Sequence, residues 1–230
     1  MMKPLTRAII RYNAHIGVYL AFFTASLFFP AGTFAWTMGW IYLALIALSM
    51  FANSLILLLR NPGLFQERVD RKGKRDLDRI LAGVMSFFGP ISICIVSGFN
   101  FRYQWPPQMP FIGQITGLVL VILGCMFAAW AVASNRYFYG FLRIAREAGH
   151  TVCTAGAYRL VRHPAYLGAI IIDLATPLVL NSAWAFIPAI ITTLAIIMRT
   201  KLEDGELLRN LAGYQVYAQQ VRRRLIPFIW

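Results

Sequence analysis

Two clusters in the last third of this 230-residue chain hold residues that could do chemistry. The first runs His150-Thr151-Val152-Cys153-Thr154-Ala155-Gly156-Ala157-Tyr158-Arg159, then Leu160-Val161-Arg162-His163-Pro164-Ala165-Tyr166-Leu167-Gly168. Pro164 suits the first turn of a helix, where its missing N–H costs nothing. His163 then stands at the helix entrance and Tyr166 one turn inside. A His, two Arg and two Tyr around free helix N–H groups favour an anionic ligand. The plainer alternative is topological, with Arg159 and Arg162 as inside charges and the tyrosines as interfacial residues.

The second cluster is Arg199-Thr200-Lys201-Leu202-Glu203-Asp204-Gly205-Glu206-Leu207. Arg199 and Glu203 are spaced i, i+4, on one face of a helix; the alternative here is a membrane-edge ion pair of little energetic value. Leu207, Leu211, Tyr214, Ala218, Val221 and Leu225 then recur at spacings of four and three. That stripe predicts a C-terminal amphipathic helix, lying on the membrane or closing over a pocket, with Arg209 and Arg222–Arg224 toward water or lipid phosphates. Asp173 stands apart, about 13 Å into the helix that Pro164 starts, at about 1.5 Å per residue. An acid at that depth is a functional candidate by default, or else is hydrogen-bonded inside a bundle, with Asn53 or Ser92 as partners.

The elements that position these clusters are membrane helices. Hydrophobic residues make up 59% of the chain, charged residues 13%, and the mean hydropathy is +0.61. A soluble domain carries about 45–50% apolar and about 25% charged residues, so that class is excluded, as is a disordered chain. Six apolar runs lie at about Ile16–Phe34, Trp36–Leu59, Ile80–Phe99, Phe111–Ala133, Pro164–Leu180 and Ala183–Met198. A bilayer core of about 30 Å needs roughly 20 such residues as helix. The last two runs, separated by Asn181-Ser182, read as a helical hairpin. The expected fold is therefore an all-α polytopic bundle of about six spans plus the C-terminal amphipathic helix. It forms a single membrane domain over 1–230.

The net charge of +13 raises nucleic acid as a partner. The positions of the charges argue against it. With six spans, 21 of the 22 Lys and Arg fall on one side, and only Arg102 falls on the other. The positive-inside rule then predicts both termini in the cytoplasm and no nucleic-acid partner. The start, basic and then apolar, lacks a small-x-small cleavage site and reads as the first transmembrane helix. Cys94, Cys125 and Cys153 show no CxxC or Cys/His spacing, so neither a metal site nor a disulfide framework is expected.

Taken in order, the clusters resemble the isoprenylcysteine carboxyl methyltransferase family of integral-membrane, S-adenosylmethionine-dependent enzymes. The family pattern H-T-x-V-T-x-G-x-Y, R-H-P-x-Y-x-G and R-x-x-x-E-E-x-x-L corresponds to His150–Tyr158, Arg162–Gly168 and Arg199–Leu207. A family-like ending follows in Tyr214, Tyr217, Val221, Arg223 and Pro227. The likeness covers about 134–227, while the first four spans match only as apolar helices. Cys153 replaces the usual Val, Ala157 a frequent Pro and Asp204 the second Glu, all mild departures. The stretch from Ser134 to Phe138 onward looks like the bacterial branch, in which a protein prenylcysteine need not be the substrate.

The resemblance implies a cofactor-binding region over 134–230. In it, His150, Thr151, Val152, Cys153, Tyr158, His163, Pro164, Ala165, Tyr166 and Glu203 hold S-adenosylmethionine. Arg199 faces the acceptor and orients its nucleophile, with Arg199 and Glu203 as the catalytic pair. The acceptor implied is lipophilic or small, a carboxylate, thiol or amine, in a bacterial inner membrane. Membrane lipids are the other expected contact, and no obligate protein partner is implied. The residue types suit methyl transfer: aromatic faces at Tyr158 and Tyr166 attract a sulfonium, and an anionic acceptor needs positioning more than a strong base. One rival is an NADPH-dependent sterol or steroid reductase, with Arg222–Arg224 on a 2′-phosphate. Against it, that family's R-H-P-N-Y-x-G-E pattern has Ala165 and Ala169 here in place of Asn and Glu. A non-enzymatic scaffold or transporter would explain the spans but neither motif.

Overall fold

The computed structural model describes residues 4–60, 62, 76–138 and 151–225, and among these the regular structure is helical. In lipid every backbone polar group must be satisfied within its own segment, which commits uninterrupted apolar runs to helix. The helices are α1 (Pro4–Ala31), α2 (Thr37–Arg60), α3 (Asp76–Gly83), α4 (Gly89–Tyr103), α5 (Phe111–Ser134), α6 (Pro164–Val179), α7 (Phe186–Asn210) and α8 (Tyr214–Gln220). A π-helical turn, Val84–Phe88, joins α3 to α4, and a 3-10 turn, Gly156–Arg159, precedes α6. The π turn has a local cause. Pro90 has no N–H to give to the carbonyl four residues back, that of Ser86; the Tyr19 hydroxyl donates to it instead, while the Gly89 N–H reaches back to Val84.

All six predicted apolar runs are helical, with a difference in length. Four continuous segments are long and apolar enough to cross a membrane: Leu5–Ala31, Thr37–Arg60, Leu77–Tyr103 and Phe111–Ser134. α6 has 16 residues, about 24 Å at 1.5 Å per residue, short of a core of about 30 Å. α7 is longer, but its apolar part ends at Met198. The predicted hairpin is present, and both its ends lie on one side, because Arg162 before α6 bonds Asp204 near the end of α7. Sidedness is therefore the same whatever depth the hairpin reaches.

Among the described residues, the helix ends that flank the basic connections meet at one end. There Ala8 of α1, Leu57 of α2 and Val132 of α5 form a cluster with Tyr137 and Phe138, and Asp78 of α3 pairs with Arg199 of α7. The opposite end is tied by Asn100 Nδ2 to the Asn181 carbonyl (2.9 Å) and Trp184 Nε1 to the Pro106 carbonyl (3.0 Å). Arg102 lies at that second end, as the charge map predicts.

α5 and α6 pack backbone to backbone. A Cβ on Gly168 would stand 2.8 Å from the Gly124 carbonyl and 2.9 Å from the Ala128 Cβ, the small-residue contact that lets membrane helices approach closely. Gly168→Ala is expected to destabilise the detergent-purified protein by about 1–3 kcal/mol, the range for overpacking, read as a lowered denaturation midpoint.

The C-terminal region corrects the predicted continuous amphipathic helix. α7 ends at Asn210, Gly213 turns the chain with a φ of +79°, and α8 is only seven residues long. That backbone angle favours glycine and re-aims the stripe inward, so Leu211, Tyr214, Tyr217 and Leu225 are buried. The tail then returns beside the start of α6, with the N–H groups of Arg162 and His163 donating to the carbonyls of Arg223 and Arg224, each at 2.9 Å.

Asp173 is buried within the bundle, near Tyr19, Tyr42 and Cys94, and its Oδ2 has no partner. The expected partners are engaged elsewhere: the Asn53 amide donates to the Ser49 carbonyl and the Ser92 hydroxyl to that of Phe88.

Candidate functional site

A cavity of about 380 Å³ opens at the basic end, walled by α2, the π turn, α5, α6, α7 and α8. That volume is in the range of small-molecule sites, about 300–1,000 Å³. Nine predicted site residues line it: Thr151, Val152, Cys153, Tyr158, His163, Ala165, Tyr166, Arg199 and Glu203. Pro164 is buried at the first helical position of α6 and is not in the wall. His150 lies outside the described residues.

One carboxylate organises one end of this wall. Asp204 is fully buried and accepts from Arg162 through both arms, Nε to Oδ1 and Nη2 to Oδ2, each at 2.8 Å. Tyr214 and Arg224 add bonds of 2.8 Å, and His163 Nε2 lies 3.3 Å away. Burial alone would raise the Asp204 pKa. The bonds from His163, Arg162, Arg224 and Tyr214 outweigh it and hold the carboxyl well below the usual carboxylate range. Arg162 also donates Nη1 to the carbonyls of Val221 (3.0 Å) and Arg222 (3.1 Å). Asp204 thus ties the start of α6, the end of α7, α8 and the tail into one unit.

This hub changes two sequence-based expectations. The Asp204 substitution, read as mild, puts a short carboxylate at the centre of the charge network. The α6 N-terminus is also less open to an anion than predicted. Arg162 is spent on Asp204 and carbonyls, and the N–H groups of Tyr166 and Leu167 turn back to the His163 carbonyl.

The second part of the site is centred on Tyr166. Its hydroxyl donates to Glu203 Oε2 at 2.5 Å. The His163 ring stacks on it with centroids 5.8 Å apart, and Arg199 Cζ lies 5.7 Å from its centroid. Arg199 is 2% exposed. Its predicted neighbour Glu203 is not its hydrogen-bond partner; instead Nε reaches Asp78 Oδ1 at 3.1 Å and Nη1 reaches Met85 Sδ at 3.0 Å. Nη2 is buried with no partner. On the far side Tyr158 accepts from Asn135 Nδ2 at 3.1 Å, and its carbonyl takes the Tyr217 hydroxyl at 2.7 Å. Burial pushes the Cys153 thiol up, which leaves it a poor nucleophile.

Sequence reasoning missed Asn135, Met85 and Tyr214 in the wall, and Asp204 and Asp78 as partners of its arginines. Asp78 had one weak signal, being an acid in an otherwise basic connection. Asp204 had none, since Glu203 and Glu206 beside it read as a solvated helix end.

The sequence has counterparts among known proteins. Residues 117–209 match the sequence model of the isoprenylcysteine carboxyl methyltransferase family. A probable protein-S-isoprenylcysteine O-methyltransferase from Oryza sativa subsp. indica is 34% identical over 116 residues, 49% of this chain and 60% of that protein. Protein-S-isoprenylcysteine O-methyltransferase B from Arabidopsis thaliana is 32% identical over 117 residues, 49% of this chain and 58% of its own length. The chain thus spans less than two thirds of the length of these relatives.

Proposed function

We propose that this protein, whose residues 117–209 match the model of the isoprenylcysteine carboxyl methyltransferase family, is a membrane-embedded methyltransferase of that family. In this reading it moves a methyl group from S-adenosylmethionine to a lipophilic or small acceptor at the cytoplasmic membrane face. The observation that carries the reading is the cavity itself. It joins a tyrosine-lined chamber and Glu203 to a buried guanidinium nitrogen that lacks a partner.

The residues present fit S-adenosylmethionine. Thr151, Val152, Cys153, Tyr158, His163, Ala165 and Glu203 would hold it, with Glu203 on ribose hydroxyls or the ammonium. When bound, it supplies an electrophilic methyl on a sulfonium whose positive charge disappears as the methyl leaves. Tyr158, in the cavity wall, would offer its aromatic ring to that charge. Tyr166 has Arg199 beside its ring, where a second cation would meet repulsion, so its role shifts to fixing Glu203 through the hydroxyl and Arg199 through the ring. Arg199 Nη2 would hold the anionic group of the acceptor. Positioning the nucleophile near 3–3.5 Å from the methyl is then the main task of the site. The Asp204 hub holds α8 and the tail beside the chamber.

The alternatives have less support. Of the Arg222–Arg224 cluster that a reductase would set on a 2′-phosphate, Arg224 is bonded to Asp204, and the similar proteins carry methyltransferase names. A scaffold or transporter leaves the match of residues 117–209 to a methyltransferase family model without an explanation.

Transfer of label from [methyl-3H]-S-adenosylmethionine into a membrane extract tests the activity. Glu203→Ala is expected to abolish both the label transfer and the stabilisation by S-adenosylmethionine. Full stabilisation in that variant would remove Glu203 from the cofactor site.

A further inference from the structure

The end of α5 is the platform on which the segment leading to Tyr158 rests. The Cys153 thiol donates to the Ser134 carbonyl at 3.2 Å. Gly156 packs so closely that a Cβ there would collide with the Ser134 Oγ, and its φ of +56° favours glycine as well. Asn135 completes the platform. Its Nδ2 donates to the Tyr158 hydroxyl at 3.1 Å, and its Oδ1 takes the Tyr137 N–H at 2.9 Å. The second bond fixes the direction of the first. A flipped amide would set two donors against each other at Tyr137, so Nδ2 is the end that meets Tyr158.

Tyr158 is thus held at both ends, at its hydroxyl by Asn135 and at its carbonyl by the Tyr217 hydroxyl (2.7 Å). Tyr158 and Asn135 both line the cavity. Tyr166, the other tyrosine suited by type to a sulfonium, has the Arg199 guanidinium beside its ring, and a second cation there is repelled. The tethered ring is therefore the better placed of the two to meet a positive charge.

We propose that Asn135 is a positioning residue that acts through Tyr158, and that the pair separates the charged methyl donor from its neutral product. This rests on the methyl-transfer reading above. S-adenosylmethionine and S-adenosylhomocysteine share the adenine, ribose, ammonium and carboxylate. Contacts to those groups, Glu203 included, cancel from the ratio of the two affinities. The two ligands differ at sulfur, a sulfonium in the donor and a thioether in the product. A ring held against that sulfur attracts the first and not the second. Without the Asn135 tether the ring is free to turn, and the attraction is averaged down. Because the charge disappears on transfer, the same geometry favours release of the product.

The test is isothermal titration of the full chain in detergent with S-adenosylmethionine, S-adenosylhomocysteine and sinefungin, which carries an ammonium in place of the methyl sulfonium. Tyr158→Phe keeps the ring and removes only the tether; Asn135→Leu removes the tether from the other side. Each is expected to lower the affinity of the two cations relative to S-adenosylhomocysteine by about threefold or more, within the roughly 2- to 30-fold worth of a cation–π contact. Affinity for S-adenosylhomocysteine itself should stay nearly unchanged. A merely structural loss enters all three affinities alike and leaves their ratios where they were. Asn135→Leu added to Tyr158→Phe should lower the ratios no further, the signature of two residues acting through one contact.

Wild-type ratios in a folded Tyr158→Phe overturn the inference, even where Asn135→Leu does not fold. So does an equal loss for all three ligands in Asn135→Leu, or a further fall of the ratios in the double variant. Each of these leaves the methyl-transfer reading intact, because the wild type still binds donor and product. A wild type that binds none of the three ligands contradicts that reading first, and the inference falls with it.

Discussion

Asp204→Asn is expected to destabilise the protein by about 3–5 kcal/mol, the cost of breaking a buried ion pair from one side. The substitution removes the charge but nearly preserves the shape. It leaves Arg162, 7% exposed, and the partly exposed Arg224 without their shared anion. Because the hub also holds the tail against the start of α6, the loss should appear first as release of that region, measured as hydrogen exchange at 211–225 before global unfolding. Asp204→Ala should cost at least as much. An unchanged denaturation midpoint in both variants would mean that the hub contributes nothing net.

The same carboxyl predicts a pH dependence. Its folded-state pKa lies below its unfolded value of about 3.9. Its contribution to stability is therefore complete above about pH 4 to 5, and is lost progressively as pH falls toward the folded value. Wild type should lose stability below about pH 4 more steeply than Asp204→Asn.

Arg199→Ala carries the second large effect, on turnover rather than on cofactor binding. If Nη2 is the acceptor's anchor, its removal frees the nucleophile to rotate away from the methyl. A misplacement of about 1 Å costs roughly a hundredfold, so kcat/KM should fall by about 10²-fold or more. Stabilisation by S-adenosylmethionine should persist, because the aromatic chamber and Glu203 are untouched. Arg199→Lys should recover little: Lys places a single ammonium where the planar fork is held by Asp78 and Met85 and still has a nitrogen to spare. Retained turnover in Arg199→Ala would take Arg199 out of the acceptor site.

The contrast between these residues shows what was legible in the sequence. The helices were readable because a bilayer imposes length and polarity rules on each segment separately. The wall positions of Tyr158, His163, Tyr166, Arg199 and Glu203 were readable because two motifs recur as local strings. Asp204 was not, since its partners lie 42 residues back at Arg162 and 20 ahead at Arg224, and nothing in its own neighbourhood marks it as buried. The break at Gly213 was hidden for a related reason. The apolar stripe from Leu207 to Leu225 fits one helix as well as two, and only the inward pull of Tyr214 and Tyr217 on Asp204 and the Tyr158 carbonyl decides between them. The shortness of α6 follows from Pro164 and the Leu180–Asn181 turn, but its consequence for depth in the membrane depends on α5, against which Gly168 sets it.

The most direct test of a methyl-donor site is ligand-dependent stability of the purified full chain in detergent. Binding to the native state raises the apparent midpoint by mass action, by about 2.7 kcal/mol at a ligand concentration 100 times Kd. S-adenosylmethionine and S-adenosylhomocysteine should each raise the midpoint, and NADPH should leave it unchanged. A rise with NADPH alone would contradict the methyltransferase account.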